Sequence, residues 1–242
     1  MWLHNINTHV YYLFIHSRRL FNMLKQAALI ALLGMSASAM AGQWQVKIGG
    51  SALAPQNDDN GTLNIPLAAG GSAAMKAEVS NEINFTPSIE YIFANSPLSV
   101  ELLLAAPFKH DVNIGAIDDA ASFKHLPPTI TAKYNFKNST RFTPYVGVGA
   151  TVVVPWDETL SQTTKDATGA ESLDADIAYG VAGQVGFNYH PADAKNWGVF
   201  ADVRYANVKT ELTAKTPDGT KVKLGDLEVN PWVYTIGYSY KF

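Results

Sequence analysis

The chain ends Asn230-Pro231-Trp232-Val233-Tyr234-Thr235-Ile236-Gly237-Tyr238-Ser239-Tyr240-Lys241-Phe242. Trp232, Tyr234, Ile236, Tyr238, Tyr240 and Phe242 are all large and apolar or aromatic, while Thr235, Gly237, Ser239 and Lys241 are small or charged. Side chains on a strand point alternately to opposite faces, so this stretch has one greasy, aromatic face and one that tolerates a lysine. A lipid-facing strand of an outer-membrane barrel needs that pattern, with aromatics at both ends of an apolar band. Strands of soluble antiparallel sheets also alternate, so the remaining chain has to decide.

Working outward, seven more segments alternate, giving strands at 43–53, 79–93, 98–110, 125–137, 141–154, 177–190, 197–212 and 227–242. In the third, Leu98, Val100, Leu102 and Leu104 oppose Ser99, Glu101, Leu103 and Ala105; in the fourth, Ile130, Ala132, Tyr134 and Phe136 oppose Thr131, Lys133 and Asn135. In the seventh, Trp197, Val199, Val203 and Tyr205 oppose Asp202 and Arg204. Charges fall opposite the aromatics, and a lysine or arginine facing lipid near the midplane would cost about 2–4 kcal/mol, so the charged face is expected to be a lumen. Short turns at 94–97, 138–140 and 191–196 alternate with long polar connections at 54–78, 111–124, 155–176 and 213–226. The expected fold class is therefore all-β: an eight-stranded antiparallel transmembrane β-barrel with long extracellular loops and short periplasmic turns. Such a lumen is filled by side chains or holds one small ligand. Pro87 stands on the outward face of the second strand, where a closed barrel has no edge to spare its missing N–H; a bulge or an opening in the wall is expected there.

Composition narrows the function classes. A formal net charge of −3 over 242 residues gives no electrostatic case for a nucleic-acid partner, and the absence of cysteine excludes disulfides and thiolate metal sites. Met23-Leu24-Lys25, the apolar run 27–33 and the small residues Ala37, Ser38, Ala39 and Ala41 describe a secretory signal peptide at 23–41, cut after Ala41 or Ala39. Residues 1–22 read as an upstream extension outside the fold, with Met23 an alternative start to Met1, and 42–242 as the barrel. The chain is expected to cross the periplasm to the outer membrane of a Gram-negative cell. No run after the cut is long and apolar enough to span a bilayer as a helix.

Counting from the short turns puts Glu90 and Glu101 at similar heights on neighbouring strands, both inward, with Lys133 on the next strand and Arg204 and Lys241 within the same lumen. Adjacent confined carboxylates repel unless cations neutralise them, so these residues read as an ion network that closes the lower lumen rather than as a proton-active pair. His110, His125 and His190 match no metal-ligand spacing and there is no G-x-S-x-G, so no catalytic residue, metal or cofactor is assigned and the chain is not expected to be an enzyme. Leu103, Ala105, Phe108 and the loop residue Trp156 belong to a set of apolar residues larger than solvated loops require. They either pack the loops over the barrel mouth or line an apolar funnel for a small hydrophobic ligand.

The stretch Val100-Glu101-Leu102-Leu103-Leu104-Ala105-Ala106-Pro107-Phe108-Lys109-His110 resembles a V-E-L-L-A-A-x-P-F-x-H segment of the OmpW family of outer-membrane proteins, whose members include an alkane-uptake protein. His125-Leu126-Pro127-Pro128-Thr129, Phe142-Thr143-Pro144-Tyr145-Val146-Gly147, Gly180-Val181-Ala182-Gly183-Gln184-Val185-Gly186 and the terminal stretch follow in the family's order. The resemblance implies a passive channel for small hydrophobic solutes that leave sideways through the wall into lipid. It also implies that the last strand, with Tyr240 and Phe242, is read by the barrel assembly machinery. Outer-membrane lipid and lipopolysaccharide are the expected surroundings, and the pattern sets no oligomeric state. A structural or adhesion barrel with a filled lumen and ligand- or lipopolysaccharide-binding loops is the alternative. The chain departs from the family in having Arg204 where an aromatic is common, a proline at Pro87, and a loosely matching first loop at 54–78.

Overall fold

A computed structural model describes residues 42–57 and 61–242; the signal peptide expected at 23–41 and the upstream extension expected at 1–22 lie outside the described residues. In chain order the strands are β1 (Gly42–Ala54), β2 (Thr62–Pro66), β3 (Ser72–Val79), β4 (Glu82–Phe93), β5 (Leu98–Leu103), β6 (Phe108–Ile114), β7 (Ile117–Leu126), β8 (Thr129–Asn135) and β9 (Phe142–Leu160). A short helix, α1 (Gln162–Thr168), precedes β10 (Ser172–Ala175), β11 (Ala178–Tyr189), β12 (Trp197–Lys215), β13 (Lys221–Glu228) and β14 (Trp232–Lys241).

Eight of these strands close a ring. Antiparallel ladders join β1 to β4, β4 to β5, β5 to β8, β8 to β9, β9 to β11, β11 to β12 and β12 to β14, and β14 returns to β1 with Val46 opposite Tyr240. Closure leaves no unpaired edge, the condition for crossing hydrocarbon with strands. At Gly237 on the closing seam a Cβ would lie 2.1 Å from the Ile48 carbonyl oxygen, so this close approach of β14 to β1 admits no side chain.

The side chains are inverted relative to a soluble protein. Ile83, Val148, Val181, Ile236 and Tyr238 are exposed on the outside, whereas Lys47, Glu90, Glu101 and Lys133 are buried inside the ring. Tyr134, Phe136, Phe142, Trp197, Tyr240 and Phe242 flank the short-turn end on the outer face, as an interfacial aromatic girdle requires. The alternation in the sequence therefore assigns the faces correctly.

Two expectations need correction. The third and fourth strands do not run through 110 and from 125: β5 stops at Leu103 and β8 starts at Thr129, because Pro107, Pro127 and Pro128 cannot donate to a ladder. Nor are the long connections irregular. β2 and β3 form one hairpin and β6 and β7 another; β3 pairs with β6, β7 with the outer half of β9, and β10 and β13 with the outer half of β12. The sheet thus continues past the membrane into an extracellular layer with its own buried core, in which Leu63, Val79, Ile114, Leu173, Leu212 and Leu227 meet. Helix α1 is tied to it by the Thr164 hydroxyl, which donates to the Ala120 carbonyl at 2.8 Å.

Candidate ligand cavity and lumen floor

The extracellular hairpins and the outer halves of β9 and β12 enclose a cavity of about 140 Å³. Its upper wall is apolar, with Leu63, Ile65, Ile114, Phe123, Leu212 and Leu227 among the lining residues. An engineered apolar cavity of about 150 Å³ in another protein stays dry and takes up benzene, which sets the scale of what fits. Leu103, Ala105 and Phe108, expected from the sequence to line a funnel, all line this cavity and are buried. Trp156 does not. On β9 it lies opposite Lys124, whereas Pro155, opposite His125, faces the cavity with its partner. Asp157 then takes a positive φ of 58°, and the lining resumes at Glu158 and Leu160. Strand alternation alone puts Trp156 on the outer face of the extracellular layer.

A stacked pair of histidines stands in the cavity wall. His110 and His125 stack with ring centroids 5.0 Å apart, between Phe108 and Phe123, and their Nε2 atoms are 3.1 Å apart. His110 Nδ1 lies 2.7 Å from the Ser80 carbonyl oxygen, so it carries a hydrogen and donates it. In neutral rings His125 Nε2 then donates to His110 Nε2, and His125 Nδ1 is left as an acceptor without a partner among the described residues. Burial, followed by the neighbouring His110, pushes the His125 pKa down to about 3, and burial also lowers that of His110. Both rings are neutral at physiological pH. Sequence spacing did not announce this pair, because β6 and β7 form a hairpin where loop was expected. Among the described residues, no group of three or more His, Asp or Glu is gathered to hold a metal ion.

Below the cavity lies a closed layer of charge. Glu90 and Glu101 face each other directly across the β4–β5 ladder. Lys133 Nζ bridges them at 2.9 and 3.0 Å, and Lys47 Nζ lies 2.7 Å from Glu90 and 3.7 Å from Glu101. Arg204 reaches Glu101 at 3.1 Å and Asp202 at 3.0 Å, and the Tyr145 hydroxyl donates to Asp202 at 2.9 Å. Ser88 donates to Glu101 at 2.6 Å, Gln184 donates to it at 3.1 Å, and Ser99 donates to Glu90. Lys133 also stands 3.7 Å above the Tyr145 ring centre, which adds a cation–π contact. Three buried cations thus meet three buried carboxylates inside the ring, a pairing that offsets the cost of burying each charge. The structure brings Glu90, Glu101, Lys133 and Arg204 together as their alternation implies. Lys47, on the inward face of β1, takes the place expected of Lys241, which forms none of these ion pairs among the described residues.

The wall beside the cavity is incomplete at Pro87. On its β1 side the ladder runs without a bulge, with Pro87 opposite Ile48. On the β5 side the ladder ends at Ser88 opposite Leu103. Beyond that point Leu104 N–H donates to the Pro87 carbonyl at 2.8 Å and Ala106 N–H to the Phe85 carbonyl at 2.9 Å. Neither bond is returned: Pro87 has no N–H, and that of Phe85 donates to the Asn84 side chain at 2.8 Å. The Asn84 amide in turn donates to the Pro107 carbonyl at 2.6 Å. Thr86, Leu103 and Ala105, on the two strands of this seam, line the cavity.

Residues 40–242 match the OmpW family. Outer membrane protein W of Vibrio cholerae serotype O1 is 34% identical over 208 residues, covering 83% of this chain and 89% of that protein. Outer membrane protein AlkL of Ectopseudomonas oleovorans is 29% identical over 194 residues, 76% of each chain. The crystal structure of the outer membrane protein OprG from Pseudomonas aeruginosa superposes with a TM-score of 0.72 at 30% identity, covering 84% of this chain and 97% of that one.

Proposed function

The chain belongs to the OmpW family of outer-membrane proteins, and from that premise we propose that this outer-membrane barrel is a passive channel for small hydrophobic molecules. Solute enters from outside into the apolar cavity, is stopped by the ion network, and leaves sideways through the β4–β5 seam into the bilayer. One observation carries the reading: the apolar cavity ends on a sealed, charge-balanced floor and touches the seam where ladder bonds are missing. Apolar surface moves into lipid spontaneously, so neither cofactor nor covalent step enters the scheme. Each hydrogen bond across the seam contributes about 0.5–1.5 kcal/mol net, so parting the few present costs far less than parting a full ladder. The exposed Tyr240 and Phe242 are the residues we assign to recognition by the assembly machinery, and lipopolysaccharide to the surroundings of the extracellular layer.

Influx of a hydrophobic solute into liposomes tests the channel. Leu103→Glu or Phe108→Asp is expected to reduce influx at least tenfold in a barrel that still folds, while Trp156→Lys, outside the cavity, leaves it intact. Influx indifferent to both cavity charges would remove the channel and favour a structural barrel.

A further inference from the structure

The ring of eight strands closes on itself, but the extracellular layer above it does not. The ladder between β9 and β11 ends with Val153 opposite Ala178. Beyond that pair, residues 154–160 of β9 are laddered to β7 and β10 is laddered to β12, and no ladder joins β9 to β10. The two free edges bound a slot, closed at the barrel end by Val153 with Ala178 and at the far end by the connection through α1. Both edges line the cavity, β9 through Pro155, Glu158 and Leu160 and the opposite side through Leu173, Ala175 and Asp176. The layer's other unladdered join, between β13 and β2, is sealed. A Cβ at Gly225 would lie 3.4 Å from the Thr62 carbonyl oxygen, and Leu63, Leu224 and Leu227 are buried there.

Exposure marks the slot as an opening. Among the described residues that line the cavity, Leu67, Ala167 and Asp176 are the exposed ones. The first two meet where the Ala68 N–H donates to the Ala167 carbonyl at 2.9 Å, which fastens that corner. Asp176 stands at the slot, its backbone held to β12 by its N–H donating to the Glu211 carbonyl at 3.0 Å and its carbonyl accepting from the Thr210 hydroxyl at 2.7 Å. Unpaired strand edges carry N–H and C=O groups that need partners, which water supplies above the barrel wall and hydrocarbon does not. The sill is apolar, with Ile177 and Tyr179 exposed, so the slot opens beside the outer leaflet, where hydrophobic solutes collect. Beside it Asp157 pairs with Lys124 at 2.7 Å and Asp174 with Lys215, whereas the Asp176 carboxylate enters no ion pair among the described residues.

We propose that the slot between β9 and β10 is the entrance by which hydrophobic solutes reach the cavity, and that Asp176 sorts them there by charge, admitting neutral molecules ahead of carboxylates. This rests on the channel reading above and locates its way in. A carboxylate passing about 4 Å from Asp176 in water is disfavoured about fivefold, an effect that salt weakens.

The chain has no cysteine, so Asp176→Cys carries a single thiol at an exposed position. Labels are attached to the folded barrel in vesicles with lipopolysaccharide in the outer leaflet, and influx of cyclohexanone and of cyclohexanecarboxylate is measured with protein-free vesicles subtracted. A bulky biotinyl methanethiosulfonate on Asp176→Cys is expected to remove the protein-dependent influx of cyclohexanone, and dithiothreitol to restore it, which shows that the barrel stayed folded. The same label on Ala68→Cys, at the fastened corner and outside the cavity lining, leaves influx intact. In Asp176→Asn the carboxylate-to-ketone influx ratio is expected to rise about fivefold over the natural chain. Undiminished cyclohexanone influx in labelled Asp176→Cys, a block by the label on Ala68→Cys, or an unchanged ratio in Asp176→Asn each overturns the proposal while leaving the channel standing. Absence of influx above protein-free vesicles in the natural chain overturns the channel reading and this one with it.

Discussion

Neutralising Glu101 should destabilise the barrel more than any change on its surface, and removing a matching cation should restore most of the loss. The Glu101 carboxylate accepts from Lys133 at 3.0 Å, Arg204 at 3.1 Å, Ser88 at 2.6 Å and Gln184 at 3.1 Å, and it is completely buried. At an effective dielectric constant of about 20, a unit pair 3 Å apart attracts by about 5 kcal/mol before desolvation is subtracted. In Glu101→Gln the shape survives but three cations face two carboxylates, and breaking a buried pair in this way costs about 3–5 kcal/mol. Adding Lys133→Met to Glu101→Gln leaves two intact pairs, Lys47 with Glu90 at 2.7 Å and Arg204 with Asp202 at 3.0 Å. The double variant should therefore lie within about 1–2 kcal/mol of the natural chain, strongly non-additive with the two single changes. Equilibrium urea unfolding in phospholipid vesicles, followed by tryptophan fluorescence, measures all four proteins. A loss below about 1 kcal/mol for Glu101→Gln, or simple additivity in the double variant, would refute the view that charge balance holds the lumen shut.

Two further outcomes follow from the geometry. The His125 pKa of about 3 in the folded chain lies below the ordinary value of about 6.5, so the neutral ring contributes stability that is present above that value and lost as pH falls towards 3, at about 1.4 kcal/mol per pH unit. Protection factors for amides in β6 and β7 should fall between pH 7 and pH 5, and His125→Phe should flatten that dependence; constant protection in the natural chain would contradict the assignment. At the seam, Pro87→Ala supplies the N–H that Leu104 lacks as a partner, so lateral flux should drop several-fold with the fold retained, and undiminished flux would exclude this exit.

How much of this the sequence reveals depends on the length scale of the signal. Alternation has a period of two and acts on each residue, so the faces of β5, β8 and β12 and the meeting of Glu90, Glu101, Lys133 and Arg204 are legible from Val100, Lys133 and their neighbours alone. Lys47 was equally legible, since it alternates with Val46 and Ile48 on the first strand. Trp156 was hidden only by where the strand was expected to stop: 141–154 runs on to Leu160, and the alternation of Val146 and Val148 carried that far puts Trp156 on the outer face. The extracellular layer was hidden for another reason: its strands pack on one another through long-range pairs such as Val79 with Val112, which carry no short-range period. The apolar excess in those connections was the only trace.

On the proposed channel reading, the route through the barrel is set largely by one strand. On the inward face of β5, Ser99, Glu101 and Leu103 succeed one another at two-residue steps, and each such step advances about 7 Å. A solute resting on Leu103 is therefore one step from Glu101, whose ion pairs it would have to break to go further down. It is also one residue from Leu104, whose bond to the Pro87 carbonyl is unreciprocated. On that reading the downward path separates buried ions worth several kcal/mol, whereas the sideways path parts a few one-way hydrogen bonds and ends in a solvent that the solute prefers. A slip of β5 by one residue would turn Glu101 to the lipid and Leu102 into the lumen, destroying floor and exit together. Register, fixed by the short turn between β4 and β5, is thus, on that reading, the physical link between the folding of this barrel and the direction in which a hydrophobic molecule would leave it.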